Sequence, residues 1–296
     1  MRITKLHPIT YILYYVILTV FAFLFTNPYY SLSLGIFIII LIKIQGIPKG
    51  FKVAVKGFMI MGISITIINS LISYKGDTKL LHLFGNNFMT FEAIMYGIVV
   101  AFSLILMFLV FSSFNQVVSY QELLYIFSKK FPVVSLIMIM ALRFVPMLST
   151  RLEEIIKLQS FENKHLKKGF VNKIKGLANS LVTMISWALE ESMITAKSMK
   201  SRGYKTAKRT SYLSYKINRI DIIFISFTIM SSILSILGLI YGNARIEFYP
   251  RIGFSFSQFP LDIYYCSFLL LLLPLIYLES KEEMVWHKIA TKNHNS

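Results

Sequence analysis

Long apolar runs constrain this chain more than any other feature. Crossing a bilayer takes roughly 17–25 consecutive, mostly apolar residues. Six stretches meet or approach that length: Ile9–Phe25, Tyr29–Ile42 (extended toward Gln45), Val53–Ile72, Phe91–Phe114, Ile222–Tyr241 and Leu261–Leu278. In lipid every backbone N–H and C=O must be paired inside the protein, and for runs of this length that means helices. The expected fold class is therefore all-α, a polytopic membrane helical bundle. Composition agrees. Hydrophobic residues make up 55% of the 296 residues and charged ones 15%, against about 25% charged in soluble domains. Mean hydropathy is +0.63. Neither a water-soluble enzyme nor a disordered chain fits these values.

Charge sets the sidedness. Lys and Arg outnumber Asp and Glu 31 to 14, a net +17. In a membrane protein such an excess marks cytoplasmic loops, so nucleic acid is not an expected partner. A seventh apolar run, Val133–Leu148, carries Arg143 and Pro146 and follows Lys129 and Lys130. Parity argues that it does not cross. The stretch from Arg143 to Arg219 holds 16 Lys and Arg against 5 Glu and should lie inside. With six spans and both termini cytoplasmic, 27 cationic residues fall inside. Four fall outside: Lys75, Lys79, Arg245 and Arg251. The lone cysteine, Cys266, excludes a disulfide within the chain. The first run has no small-residue cleavage site behind it and is expected to stay.

The segment from Ser149 to Arg219 reads differently, because no run in it is apolar enough to cross. Leu148, Leu152, Ile155, Ile156 and Gln159 recur at helical spacing, and so do Ile174, Ala178, Leu181, Ile185, Ala188, Leu189, Ala196 and Met199. Lys173, Lys175, Glu190, Lys197 and Lys200 stand on the opposite face of the second stripe. Two amphipathic helices follow, the second about 30 residues long. Such helices can lie on the anionic inner leaflet, or pack together and present their ends to a partner. The end of the second favours the latter. Gly203 suits the left-handed residue after a helix, which puts Arg202 at the helix terminus. There Arg202 either caps its own helix or forks onto a carboxylate of another protein.

These residues carry a resemblance. Ala196-Lys-Ser-Met-Lys-Ser-Arg-Gly-Tyr204, followed by Arg209-Thr210, resembles the second signature of the T component of energy-coupling factor (ECF) transporters, the CbiQ/EcfT family. Upstream, Ala141-Leu-Arg-Phe-Val-Pro-Met-Leu148 is similar to that family's A-L-R-F-x-P-x-L, ahead of Glu153, Glu154 and Gln159. Leu6-His-Pro-Ile-Thr10 is similar to its D-P-R-T entry to the first span, with His7 and Ile9 in place of Asp and Arg. The resemblance implies a membrane scaffold of a vitamin or metal-ion importer in a bacterial cytoplasmic membrane. It implies two ABC-type ATPase subunits docked on crossed coupling helices, and a small substrate-binding membrane protein, the S component. It assigns ATPase coupling to Met199, Ser201, Arg202, Gly203 and Arg209, and support of the coupling helices to Arg143, Pro146, Gln159, Glu162 and Lys168. Two departures stand out. The family's first signature, Q-x-A-R-G, is here Gln159-Ser-Phe-Glu-Asn163, with Glu162 where a cation belongs; Lys164 or Lys167 could substitute, or the helix could end later, at Lys168-Gly169. Two spans, not one, follow the coupling region.

The expected organisation is an N-terminal four-span domain over 1–132, a coupling region over 133–220 and a C-terminal hairpin with its tail over 221–296. No G-x-x-x-x-G-K-[ST] occurs, so ATP would be held by partner subunits and the chain is expected to be non-catalytic, with no cofactor of its own. His7, His82, His165, His287 and His294 show no metal spacing. Phe and Tyr are expected mainly at lipid-facing and interface positions. Lys56 is expected to snorkel from the third span. The competing classes are a self-contained secondary transporter or channel, which should show broken midplane helices and an internal repeat, and an intramembrane enzyme.

Overall fold

Proline starts the first two helices. Pro8 opens α1 (Pro8–Leu24) and Pro28 opens α2 (Pro28–Gln45). A missing N–H costs nothing at a helix N-terminus, where that donor has no intrahelical partner. Each is preceded by a side-chain cap. His7 Nδ1 accepts from Ile9 N–H at 3.2 Å, and Asn27 Oδ1 accepts from Tyr29 N–H at 3.1 Å. The computed structural model describes residues 6–48, 50–72, 78–82, 88–162, 170–206, 215, 217–241 and 262–294. Its further helices are α3 (Phe51–Ile72), α4 (Phe91–Val117), α5 (Tyr120–Lys130), α6 (Pro132–Glu162), α7 (Phe170–Ser201), α8 (Arg219–Ile240) and α9 (Ile263–His294). The six expected runs are α1, α2, α3, α4, α8 and α9.

The chain divides into two compact units, residues 1–119 with 215–296, and residues 120–214. The first unit is the helical bundle. Its centre is aromatic: Phe21, Phe25, Tyr30 and Phe268 are fully buried, with ring centroids 4.7–6.0 Å apart. Other rings, among them Phe23, Phe111, Phe227 and Tyr277, stay exposed on their helices, where lipid-facing rings are expected. Lipid tails are as apolar as leucine, so helices gain little by merely burying oil. Dispersion and edge-to-face geometry between large rings supply the contact instead. Small residues do the same where backbones must meet. A Cβ on Gly97 would lie 3.0 Å from Thr66 Cα, and one on Gly238 only 2.6 Å from Tyr264 Cβ. Hydroxyls link α8 to α9 beside that contact: Ser231 donates to the Ser267 carbonyl, and Ser235 and Ser267 share a bond of 3.2 Å.

Three features depart from the sequence reading. An antiparallel two-stranded ribbon, β1 (Lys79–His82) with β2 (Phe88–Thr90), precedes α4. Buried Glu92 accepts the Thr78 hydroxyl at 2.7 Å and the Thr78 N–H at 3.3 Å, tying the start of the ribbon to α4. Second, Tyr120–Lys130 forms a helix that no apolar run announced. Third, the apolar run Val133–Leu148 and the amphipathic stripe through Leu152 and Ile156 are one helix, the 31-residue α6. The sequence reading started a separate amphipathic helix near Leu148, and that is wrong. Pro146 lies inside this helix without ending it: its missing N–H leaves the Leu142 carbonyl without that donor, while the hydroxyls of Ser149 and Thr150 both donate to the Pro146 carbonyl, at 2.8 and 3.1 Å. Among the described residues α6 joins α2, α3, α4, α8 and α9 as helices long and apolar enough to cross a membrane, while α1, with 17 residues, is shorter. Length and composition therefore allow α6 to cross; the expectation that Val133–Leu148 does not rests on span parity and on the cationic stretch that follows it.

Candidate functional site

The second unit is built on α5, α6 and α7. Its contacts reverse one expectation about α7. Among the described side chains of this helix the half-buried positions are Gly176, Met184, Trp187, Ala188, Glu191, Thr195 and Met199, with Ser180 fully buried. Trp187 meets α6 directly, with the Arg151 guanidinium 5.1 Å from its ring centroid. Arg151 also pairs with Glu154 at 2.8 Å, an exposed pair of little energetic weight. On α6 the stripe Leu148, Leu152, Ile155 and Ile156 is half-buried as the periodicity predicts. On α7 only Ala188 and Met199 of the apolar stripe are half-buried. Ile174, Leu181, Ile185 and Leu189 are 44–58% exposed, and so are their neighbours Val182, Met193 and Ile194 at 54–65%. The face that periodicity marks as buried is left open over most of the helix. Open apolar faces of this extent on a folded unit mark contact with a membrane or another protein.

At the end of α7 the local sequence fixes the backbone closely. Gly203 holds φ +77°, the left-handed conformation expected of it. The N–H of Tyr204 reaches the Met199 carbonyl at 3.0 Å, and the N–H of Gly203 reaches that of Lys200 at 3.1 Å. These two bonds define a Schellman motif. A second turn follows at once. The N–H and hydroxyl of Thr206 both reach the Gly203 carbonyl, at 3.1 and 2.6 Å. Lys205 lies at φ +72°, a region that costs a residue with a side chain about 1–3 kcal/mol. Its ammonium stands 5.9 Å from the Tyr204 ring centroid. Ser201 Oγ donates to the Ser198 carbonyl at 2.9 Å.

This scaffold places Arg202. It is the last residue before the left-handed turn, its own N–H is bonded to the Ser198 carbonyl at 3.1 Å, and its side chain is exposed. Among the described residues no carboxylate pairs with it. Its charge completes the end of its own helix, and its guanidinium can fork onto a carboxylate of another protein.

Arg143 is exposed on α6, one turn before Pro146, and no carboxylate pairs with it among the described residues. Gln159 and Glu162 fall in the last turn of α6, with their side chains outside the described residues. Lys168 and Arg209, and with them Lys164 and Lys167, also lie outside the described residues. Among the described residues no group of three His, Cys, Asp or Glu could hold a metal ion. An apolar groove on α8 between Ile217, Ile222, Ile229 and Ile233 has Ser226 as its one polar lining residue.

Periodicity and motif reading missed Asp221. It is buried in the first turn of α8, accepting from the Asn218 N–H at 2.8 Å and the His7 N–H at 2.7 Å. Its signal was present in the sequence. Asn218-x-x-Asp221 has the spacing of a capping box.

Comparison with known proteins places this arrangement. Residues 3–212 match the CbiQ family, described as a cobalt transport protein, and the match takes in α1 through α7 with the Arg202 tip. The chain belongs to the CbiQ family. As a multi-pass protein of this family it belongs in the bacterial plasma membrane. CbiQ proteins work in multi-subunit transporters. Curated relatives agree over shorter stretches. An uncharacterized protein of Mycoplasma genitalium, MG181, is 38% identical over 85 residues, covering 28% of this chain and 20% of that one. Its Mycoplasma pneumoniae homologue is 37% identical over 83 residues, 27% of this chain and 19% of its own. The chain thus aligns with about a fifth of the length of these relatives.

Proposed function

We propose that this CbiQ-family chain is the transmembrane coupling subunit of an ECF-type importer. In this role it links ATP hydrolysis by two ABC-type ATPase subunits to reorientation of a substrate-binding S component that brings in a vitamin or metal ion. The chain is then non-catalytic, ATP is held by the partner subunits, and selectivity resides in the S component. The second unit faces the cytoplasm with both termini, following the 27 to 4 division of cationic residues. Arg143, Pro146, Gln159, Glu162 and Lys168 support the coupling helices, and Met199, Ser201, Gly203 and Arg209 hold or flank the docking tip.

The observation that carries this reading is Arg202, an exposed guanidinium on a helix end fixed by two turns in succession. A charge held at a rigid tip loses little freedom on docking, so more of the ion-pair energy appears as affinity. The open apolar face of α7 supports the same reading, since it offers a partner a surface to cover. Removing one side of a buried charge-assisted pair costs about 2–5 kcal/mol. Arg202→Ala should therefore abolish most uptake and release the ATPase subunits on purification, with the protein inserted at its normal level. Arg202→Lys should recover only part, because lysine lacks the planar fork. Unchanged uptake by Arg202→Ala at normal expression would overturn the docking role.

A further inference from the structure

The carboxylate of Asp221 stands at the start of two helices at once. Within α8 it is the third helical residue, and Oδ2 accepts the Asn218 N–H at 2.8 Å. Across the bundle Oδ1 accepts the N–H of His7 at 2.7 Å, the residue that caps α1, and lies 3.5 Å from the Thr10 hydroxyl. Asp221 is 1% exposed, His7 3% and Thr10 1%. A helix N-terminus carries partial positive charge from its unpaired N–H groups, so one anion here serves two helix ends. The contact spans 214 residues of sequence. Tyr215 adds to it, its ring edge-on to His7 at 6.2 Å between centroids.

The position of this clamp gives it meaning. Residues 120–214 form the unit that carries Arg202, and the chain re-enters the bundle at Tyr215. Asp221 comes six residues later, in the first turn of the first helix after that re-entry. The carboxylate at the start of α1 comes from α8.

We propose that Asp221 is a positioning residue for coupling: it locks the returning end of the Arg202-bearing segment to the start of α1, so that displacement of that segment moves the α1–α8 pair rather than being absorbed in residues 215–220. This rests on the coupling reading above. A loose anchor would let the partner ATPases hydrolyse ATP without driving uptake.

The test uses the full complex, purified with whatever ATPase subunits accompany it, carrying Asp221→Asn and separately Asp221→Ala. Asparagine keeps the shape and one acceptor and loses the charge; alanine loses all three. Two readouts are needed. Hydrogen exchange of the peptide containing His7 to Thr10 reports the clamp itself. Uptake per ATP hydrolysed, in proteoliposomes containing equal amounts of assembled complex, reports positioning. Both variants should exchange faster at that peptide, and alanine should exceed asparagine. Uptake per ATP should fall about fivefold or more, the low end of ordinary coupling between sites, while hydrolysis continues. A purely structural Asp221 would lower yield and leave that ratio within twofold of wild type, which would overturn the proposal. Unchanged exchange would overturn it too, because the clamp would then hold nothing. A wild-type preparation that brings no ATPase refutes the coupling reading, and the positioning role with it; a variant that brings ATPase but keeps its ratio refutes the positioning role alone.

Discussion

Gly203→Ala tests whether the tip works as a rigid hook or merely as a local charge. Two costs follow from the structure. At φ +77° any Cβ meets the following carbonyl, which costs about 1–2 kcal/mol. The new Cβ would also lie 2.9 Å from Thr206 Oγ1, which is itself bonded to the Gly203 carbonyl. The hydroxyl must swing away and the bond goes with it, at about 0.5–1.5 kcal/mol. The total, about 1.5–3.5 kcal/mol, falls on a solvent-exposed helix end. The helix can escape by unwinding its last turn, which frees Arg202 from its bond to Ser198. Membrane insertion and bundle stability should not change, whereas affinity for the ATPase subunits should drop roughly 10- to 300-fold. Quantitative pull-down with titrated ATPase measures this. Gly203→Asn is the control, because asparagine tolerates the left-handed region better than alanine; it should bind between wild type and alanine. In a Thr206→Ala background the alanine penalty should shrink by the hydroxyl share. Binding of Gly203→Ala within twofold of wild type would refute the rigid-hook argument, and Arg202 would then act as a freely moving charge.

Two further outcomes are expected. Gly238→Ala should push α9 off α8, because the atom it would strike is Tyr264 Cβ and not the end of a flexible chain; overpacking of this kind costs about 1–3 kcal/mol, readable as a lower unfolding temperature in detergent with wild-type expression as the reference. On a background lacking Cys266, a cysteine placed at position 165 or 208 should resist impermeant thiol reagents added outside intact cells, and labelling there would reverse the assigned sidedness.

Much of the bundle was legible from the sequence. Runs of this length and apolarity have one affordable backbone solution in lipid, and α2, α3, α4 and α8 begin and end within a few residues of their expected limits. The Arg202 tip was legible for a local reason: a cation followed by glycine at the end of a helical stripe specifies its own turn. The rest depended on non-local contacts. Periodicity identified the apolar stripe of α7 but not which face meets α6; Trp187 and the Arg151 stack settle that, and neither belongs to the stripe. Arg143, Pro146 and the cationic stretch behind them separate Val133–Leu148 in the sequence from the amphipathic stripe that follows, whereas α6 runs through Pro146 to Glu162 as one helix.

By itself, then, the sequence determined the membrane class, most of the helices and the conformation at Gly203, because each follows from hydropathy over one span or sterics over a few residues. The tertiary structure decided which aromatic rings form the core, where glycine lets backbones touch, which face of α7 stays open and what Asp221 holds. Those are pairings across as many as 214 residues, and in lipid they are settled by shape and hydrogen bonding between particular side chains, not by the amount of apolar surface that a run of letters displays.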